Sequence, residues 1–112
     1  LLIAADKNNT QAVKELLAAG AEPNGKDSFG QTPLFYASAH GNKEAVTMLL
    51  KAKANPHLSD KDGFTPLIIA SGYGKIEVVK LLLAAKVNIN CKNKAGVTPL
   101  MLEAHRKKLQ KS

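Results

Sequence analysis

The sequence predicts an all-α fold, a repeat solenoid of helix-turn-helix pairs joined by β-turn hairpin loops, and three observations carry that prediction. Thr32 Pro33 Leu34 returns as Thr65 Pro66 Leu67 and as Thr98 Pro99 Leu100, a period of 33 residues without insertion. A glycine stands two residues before each threonine, at Gly30, Gly63 and Gly96. Between these anchors Val13, Leu16 and Leu17 reappear as Val46, Leu49 and Leu50 and then as Val79, Leu82 and Leu83. The i, i+3, i+4 spacing of each set marks one apolar face of a helix. A fixed period of this length is the signature of a repeat architecture.

The elements follow in chain order. Leu1 stands in the phase of Leu34, so the chain enters partway through a unit, and residues 1–30 read as a truncated first repeat. Residues 31–63 and 64–96 read as full repeats and 97–112 as a partial capping repeat, all within one solenoid spanning 1–112. Asp27 Ser28 Phe29 Gly30, Asp60 Lys61 Asp62 Gly63 and Asn93 Lys94 Ala95 Gly96 are predicted hairpin tips. Each combines a side chain able to bond its own backbone with a glycine that accepts positive φ. The threonine after each tip suits a helix N-cap, and the proline behind it occupies the first helical position, where no N–H is needed. Gly41 and Gly74 should stop these first helices after about two turns in the left-handed C-terminal geometry. Second helices are expected over Lys43 to Ala52 and Ile76 to Ala85, carrying the Val/Leu stripe. A single helix pair cannot cover its own stripe, so the repeats must stack, each core completed by its neighbour. Small residues line the first helices (Ala37, Ser38, Ala39, Ala70, Ser71, Gly72), which lets them approach closely and should make their side of the stack concave.

These residues resemble the ankyrin-repeat family, whose pattern runs roughly D-x-x-G-x-T-P-L-H-x-A-A-x-x-G, then V-x-x-L-L. The resemblance covers essentially the whole chain, and three in-phase Thr-Pro-Leu anchors make it specific. It implies a stack of hairpins and antiparallel helix pairs that binds other proteins through hairpin tips and the concave helical face. Three departures matter. Phe35, Ile68 and Met101 stand where the family has histidine, so apolar packing should replace a polar tie. Lys53 and Lys86 stand where Gly20 meets the family's glycine, and left-handed lysines there would each cost roughly 1 kcal/mol or somewhat more. Glu103 takes the phase of Ala37 and Ala70 and Lys107 that of Gly41 and Gly74, so Pro99 to about Lys108 is expected to run as one continuous capping helix. Both ends look cut from, or capping, something larger.

Composition agrees with a folded domain. Of 112 residues, 45% are hydrophobic and 22% charged, far from the disordered range. No apolar run approaches the ~20 residues of a membrane span, and Leu1 Leu2 Ile3 lacks the basic flank of a signal peptide. Cys91 is alone, which excludes an internal disulfide and suits an intracellular setting, cytoplasmic or nuclear. The net charge of +7 is unevenly spread: residues 1–78 hold eight lysines against eight carboxylates, whereas 79–112 hold seven lysines and Arg106 against Glu103. That asymmetry points to an acidic partner at one end or to a solvated terminal cap. The run from His105 to Lys111 has no second basic cluster and no interleaved aromatics, so nucleic acid is not the expected partner.

Catalytic signatures are missing from the pattern. His40, His57 and His105 have no zinc-like spacing with Cys91, Ser28, Ser38, Ser59 and Ser71 have no nucleophile elbow, and Gly72 Tyr73 Gly74 lacks the rest of a phosphate loop. Neither enzyme activity nor a cofactor is expected. The function predicted is non-catalytic binding of a protein partner, the alternative being a recognition arm of a larger enzyme or effector. Phase matching places Ser28, Phe29, Gln31, His40, Lys61, Asp62, Phe64, Tyr73, Lys94, Val97 and Arg106 at hairpin tips and first-helix ends as the partner-binding residues. Phe29, Phe64 and Tyr73 read either as interface anchors in a polar rim or as packing between repeats. Flanked by His40 and Lys61, such anchors suit a partner of mixed apolar and acidic character, bound by a monomeric chain. Asn24 and Asn90 are expected to bond the hairpin backbone locally.

Overall fold

Thr32 and Thr65 begin their helices as their positions require. Each hydroxyl oxygen accepts a hydrogen bond at 3.2 Å, from the Phe35 and Ile68 backbone N–H respectively, with proline at the first helical position behind it. The structure, a computed structural model, describes residues 1–85. Its helices are α1 (Leu2–Asp6), α2 (Thr10–Ala18), α3 (Pro33–His40), α4 (Lys43–Lys51), α5 (Pro66–Gly72) and α6 (Ile76–Ala84). The second helices thus end one residue short of the expected bounds, within the usual fraying of a helix end.

Two rows result. The first helices α1, α3 and α5 pack side by side as an inner row, and α2, α4 and α6 form an outer row behind them. The core runs between the rows through Ala4, Val13, Leu34, Val46, Leu49, Leu67, Val78 and Leu82, all buried. Phe35 and Ile68 are buried too, so apolar packing does fill the position the family gives to histidine. The outer-helix stripe is uneven. Leu49 and Leu82 are fully enclosed, whereas Leu16 in the same phase is 38% exposed, because no described unit packs on the outer side of α2. Ser38 and Ser71 are buried with hydroxyls that have no hydrogen-bond partner.

Helices α1 to α5 end in the same reverse turn. Gly41 (φ 71°) and Gly74 (φ 68°) are left-handed, and the N–H groups that follow return to carbonyls of the last turn: Asn42 to Ala37 and Lys75 to Ala70, both at 2.9 Å. Asn8 (φ 58°) does the same job after α1, a role the sequence pattern had not assigned; asparagine is among the few side chains that tolerate this backbone. After the outer helices Gly20 (φ 88°) and Lys53 (φ 72°) repeat the geometry, so the expected left-handed lysine is present at 53. Lys86, Glu103 and the capping helix expected over Pro99 to Lys108 lie outside the described residues.

Polar ties then lock one repeat to the next. Asn42 caps α4 by accepting from the Ala45 N–H and donates to Asn8 Oδ1 at 2.8 Å and Thr10 Oγ1 at 2.7 Å in the preceding unit. Asn24 does not bond its own hairpin as expected. Its amide instead spans 29 to 31 residues, donating to the Lys53 carbonyl and accepting from the Asn55 N–H. Stacking brings that later loop alongside, so the backbone groups it satisfies belong to the neighbour. Asn90 lies outside the described residues.

Candidate protein-binding groove

The hairpins are built around aspartates. Asp27 Oδ1 accepts from the Phe29 and Gln31 N–H groups at 3.0 and 2.9 Å, and Asp60 Oδ1 accepts from Asp62 and Phe64 at 3.0 and 2.9 Å. Gly30 lets the two tips meet: it is left-handed (φ 78°), and a Cβ there would lie 3.1 Å from the Lys61 nitrogen. At that approach the Lys61 N–H donates to the Phe29 carbonyl, Gln31 Nε2 to Asp60 Oδ2 and Lys26 Nζ to the Ser59 carbonyl. The tips therefore form a continuous ledge along the stack.

Between this ledge and the inner helices lies a groove of about 520 Å³. Its lining takes Asp6 from α1, Phe35, Tyr36, Ala39 and His40 from α3, Ile69 from α5 and Tyr73 from its C-terminal cap, and Gln31, Asp60, Asp62 and Phe64 from the hairpin segments. A smaller hollow shares Asp6 and Tyr36 and extends past Leu2, Ile3 and Asp27. Phe35 and Tyr36 pack edge to face, with ring centroids 5.9 Å apart.

Five of the residues nominated from sequence meet here: Gln31, His40, Asp62, Phe64 and Tyr73. Tyr73 is 60% exposed and Phe64 half-buried, so Tyr73 is not spent on packing between repeats. Ser28, Phe29 and Lys61 stay at the tips outside the groove, Phe29 being 64% exposed. Lys94, Val97 and Arg106 lie outside the described residues. Two of these five are also structural: Gln31 holds Asp60, and His40 Nε2 donates to the Asp6 carbonyl at 2.6 Å, tying α3 to α1. Asp6, Phe35, Tyr36, Ala39, Asp60 and Ile69 were missed by phase matching at the hairpins. Tyr36 and Ile69 occupy one phase, shared with Ile3, and that phase is the signal: it carries large side chains next to the small ones at Ala37 and Ala70.

The electrostatics differ from the sequence-level expectation. His40 and Lys61 predict a partner of acidic character, but Lys61 lies outside the groove, and among the described residues the lining holds three carboxylates with no lysine or arginine. Lys14 and Lys43 lie with Glu44 on the outer helices, and the three aspartates lie on the inner side. Burial pushes the Asp27 carboxyl up, but the Tyr36 hydroxyl and the Gln31 and Phe29 N–H groups outweigh it and leave the group below its ordinary value. The same hydrogen bond from Tyr36 to Asp27, with burial and the negative charges of Asp27 and Asp6, pushes the Tyr36 phenol up to about 12.

A two-row helical stack with a hairpin ledge and an aromatic groove defines a repeat solenoid of the kind whose surface, not a buried pocket, meets ligands. Residues 1–93 match the family model for ankyrin repeats, in three copies, and the chain belongs to that family. Ankyrin repeats are generally protein-protein interaction modules. Comparison with curated proteins returns no match. Among the described residues no helix is long and apolar enough to cross a membrane.

Proposed function

We propose that this chain binds a protein partner, without catalysis of its own, through the groove between the hairpin ledge and the inner helices. The observation that carries the reading is Tyr73, 60% exposed beside Phe64 on the rim of a concavity of about 520 Å³. A tyrosine held on a rigid helix end is the type of side chain that anchors interfaces, since it brings large contact area at low entropic cost. The groove is preformed by backbone ties between repeats, so little ordering would be lost on binding. Phe29 at the neighbouring tip extends the same face. A lone cysteine, Cys91, fits a reducing, intracellular compartment.

The test compares partner capture by the parent chain, by Tyr73→Ala and by a Lys14→Ala/Lys43→Ala double variant on the outer helices. Loss of captured partner with Tyr73→Ala alone is the expected outcome. Loss with the outer-helix variant and retention with Tyr73→Ala would place binding on the opposite face.

A further inference from the structure

Among the described residues the groove is lined by carboxylates and by no lysine or arginine. Asp6, Asp60 and Asp62 line it, and among the described residues none of them is in an ion pair; the ion pair present joins Lys80 to Glu77 on α6. Asp6 and Asp62 are exposed, so their charges are available to an incoming group. Asp60 uses Oδ1 for the hairpin N–H groups, while Oδ2 accepts, among the described residues, from Gln31 at 3.3 Å. The aromatic side chains of Phe64 and Tyr73 line the same groove as these carboxylates.

We infer that the partner segment seated in this groove presents an arginine, its guanidinium against the Phe64 and Tyr73 rings and hydrogen-bonded to the groove's carboxylates. This rests on the groove being the binding face, as proposed above. Arginine fits both halves of the site: its planar guanidinium stacks on aromatic rings and donates a fork of hydrogen bonds to carboxylates. Lysine offers a compact, strongly hydrated charge that satisfies only the electrostatic half. A glutamate or aspartate would meet three like charges, and an aliphatic side chain would leave the carboxylates desolvated without a partner. Ala39 and Ile69, also in the lining, offer apolar contact to a neighbour of that arginine.

The probe is a set of fluorescent octapeptide pools, degenerate except for a fixed central arginine, lysine, leucine or glutamate, titrated against the whole chain at low and high salt. The arginine pool should bind at least about tenfold more tightly than the leucine and glutamate pools and severalfold more tightly than the lysine pool. Asp6→Asn/Asp62→Asn should weaken the arginine pool about tenfold, because two exposed attractions are removed, with unchanged helical circular dichroism. Equal binding of arginine and leucine pools, or indifference to the double asparagine change, overturns the inference. If Tyr73→Ala still abolishes binding in that case, the groove reading survives without it. Failure of all pools to bind at millimolar concentration, or sedimentation showing that a second copy of the chain occupies the groove, overturns the inference as well.

Discussion

Lys53 sits in the left-handed region at φ 72°, and replacing it by glycine should stabilise the fold. The geometry around it is the same reverse turn that Gly20 makes one repeat earlier. The Lys53 N–H donates to the Leu50 carbonyl at 3.1 Å and the Ala54 N–H to Leu49 at 2.9 Å. The Lys53 carbonyl also accepts from Asn24 of the preceding unit, so the backbone is held in place from both sides. An L-residue here meets its own carbonyl through Cβ, a clash costing about 1–2 kcal/mol, which glycine removes. Glycine in turn has more freedom to lose on folding, so the net gain should be about 0.5–1 kcal/mol. The Lys53 side chain is exposed and forms no ion pair among the described residues, so nothing else of that size is lost with it. For a domain of this size the melting temperature should rise by about 2–8 °C. Urea unfolding would read the same change as a higher midpoint at unchanged slope. Asn8→Gly is the control: Asn8 is also left-handed (φ 58°), but asparagine is strained less there and its Oδ1 accepts from Asn42, so that variant should gain nothing. An equal or lower midpoint for Lys53→Gly, or an equal gain at Asn8, would refute the strain argument.

Leu49→Ala should cost about 2–5 kcal/mol, since its side chain is fully enclosed between repeats, whereas Leu16→Ala at 38% exposure should cost clearly less; equal losses in urea unfolding would contradict one-sided cover of α2. Ser38→Ala and Ser71→Ala should each stabilise by about 0.5–1.5 kcal/mol, because a buried hydroxyl without a partner is removed and alanine is the better helix former; a loss in calorimetry would show that the hydroxyls are satisfied. Tyr36, with its phenol raised from 10.0 to about 12, favours the folded state fully below pH 10 and loses that contribution as pH climbs through 12. Ultraviolet titration should therefore show a late tyrosinate step that Tyr36→Phe abolishes. Asp27, held below its ordinary value, has the opposite sign: its contribution is present above about pH 4 and fades as pH falls further, so acid unfolding of Tyr36→Phe should begin at higher pH.

Local chemistry was legible in the chain because it is local. Thr32 and Thr65 cap, Pro33 and Pro66 open helices, Gly30 and Gly63 turn, and Asp27 and Asp60 close hairpins using bonds that span two to four residues. Periodicity alone then required stacking, since each Val/Leu stripe is useless without a neighbour. What the sequence could not decide were relations between residues about 30 apart. Asn24 reads as a local turn residue yet serves the next repeat's loop; Asn42 reads as a cap yet also grips Asn8 and Thr10. Asn8 takes a glycine's backbone, which asparagine tolerates, and its side chain accepts from Asn42 of the adjoining repeat. The groove shows the same limit most clearly. Its charge depends on which face each side chain meets when the units are superposed at 33-residue intervals, so among the described residues three carboxylates and no lysine stand where the aromatic residues gather. Composition sums charges over the whole surface, whereas a partner in the groove feels those within about a Debye length, and only stacking determines which those are.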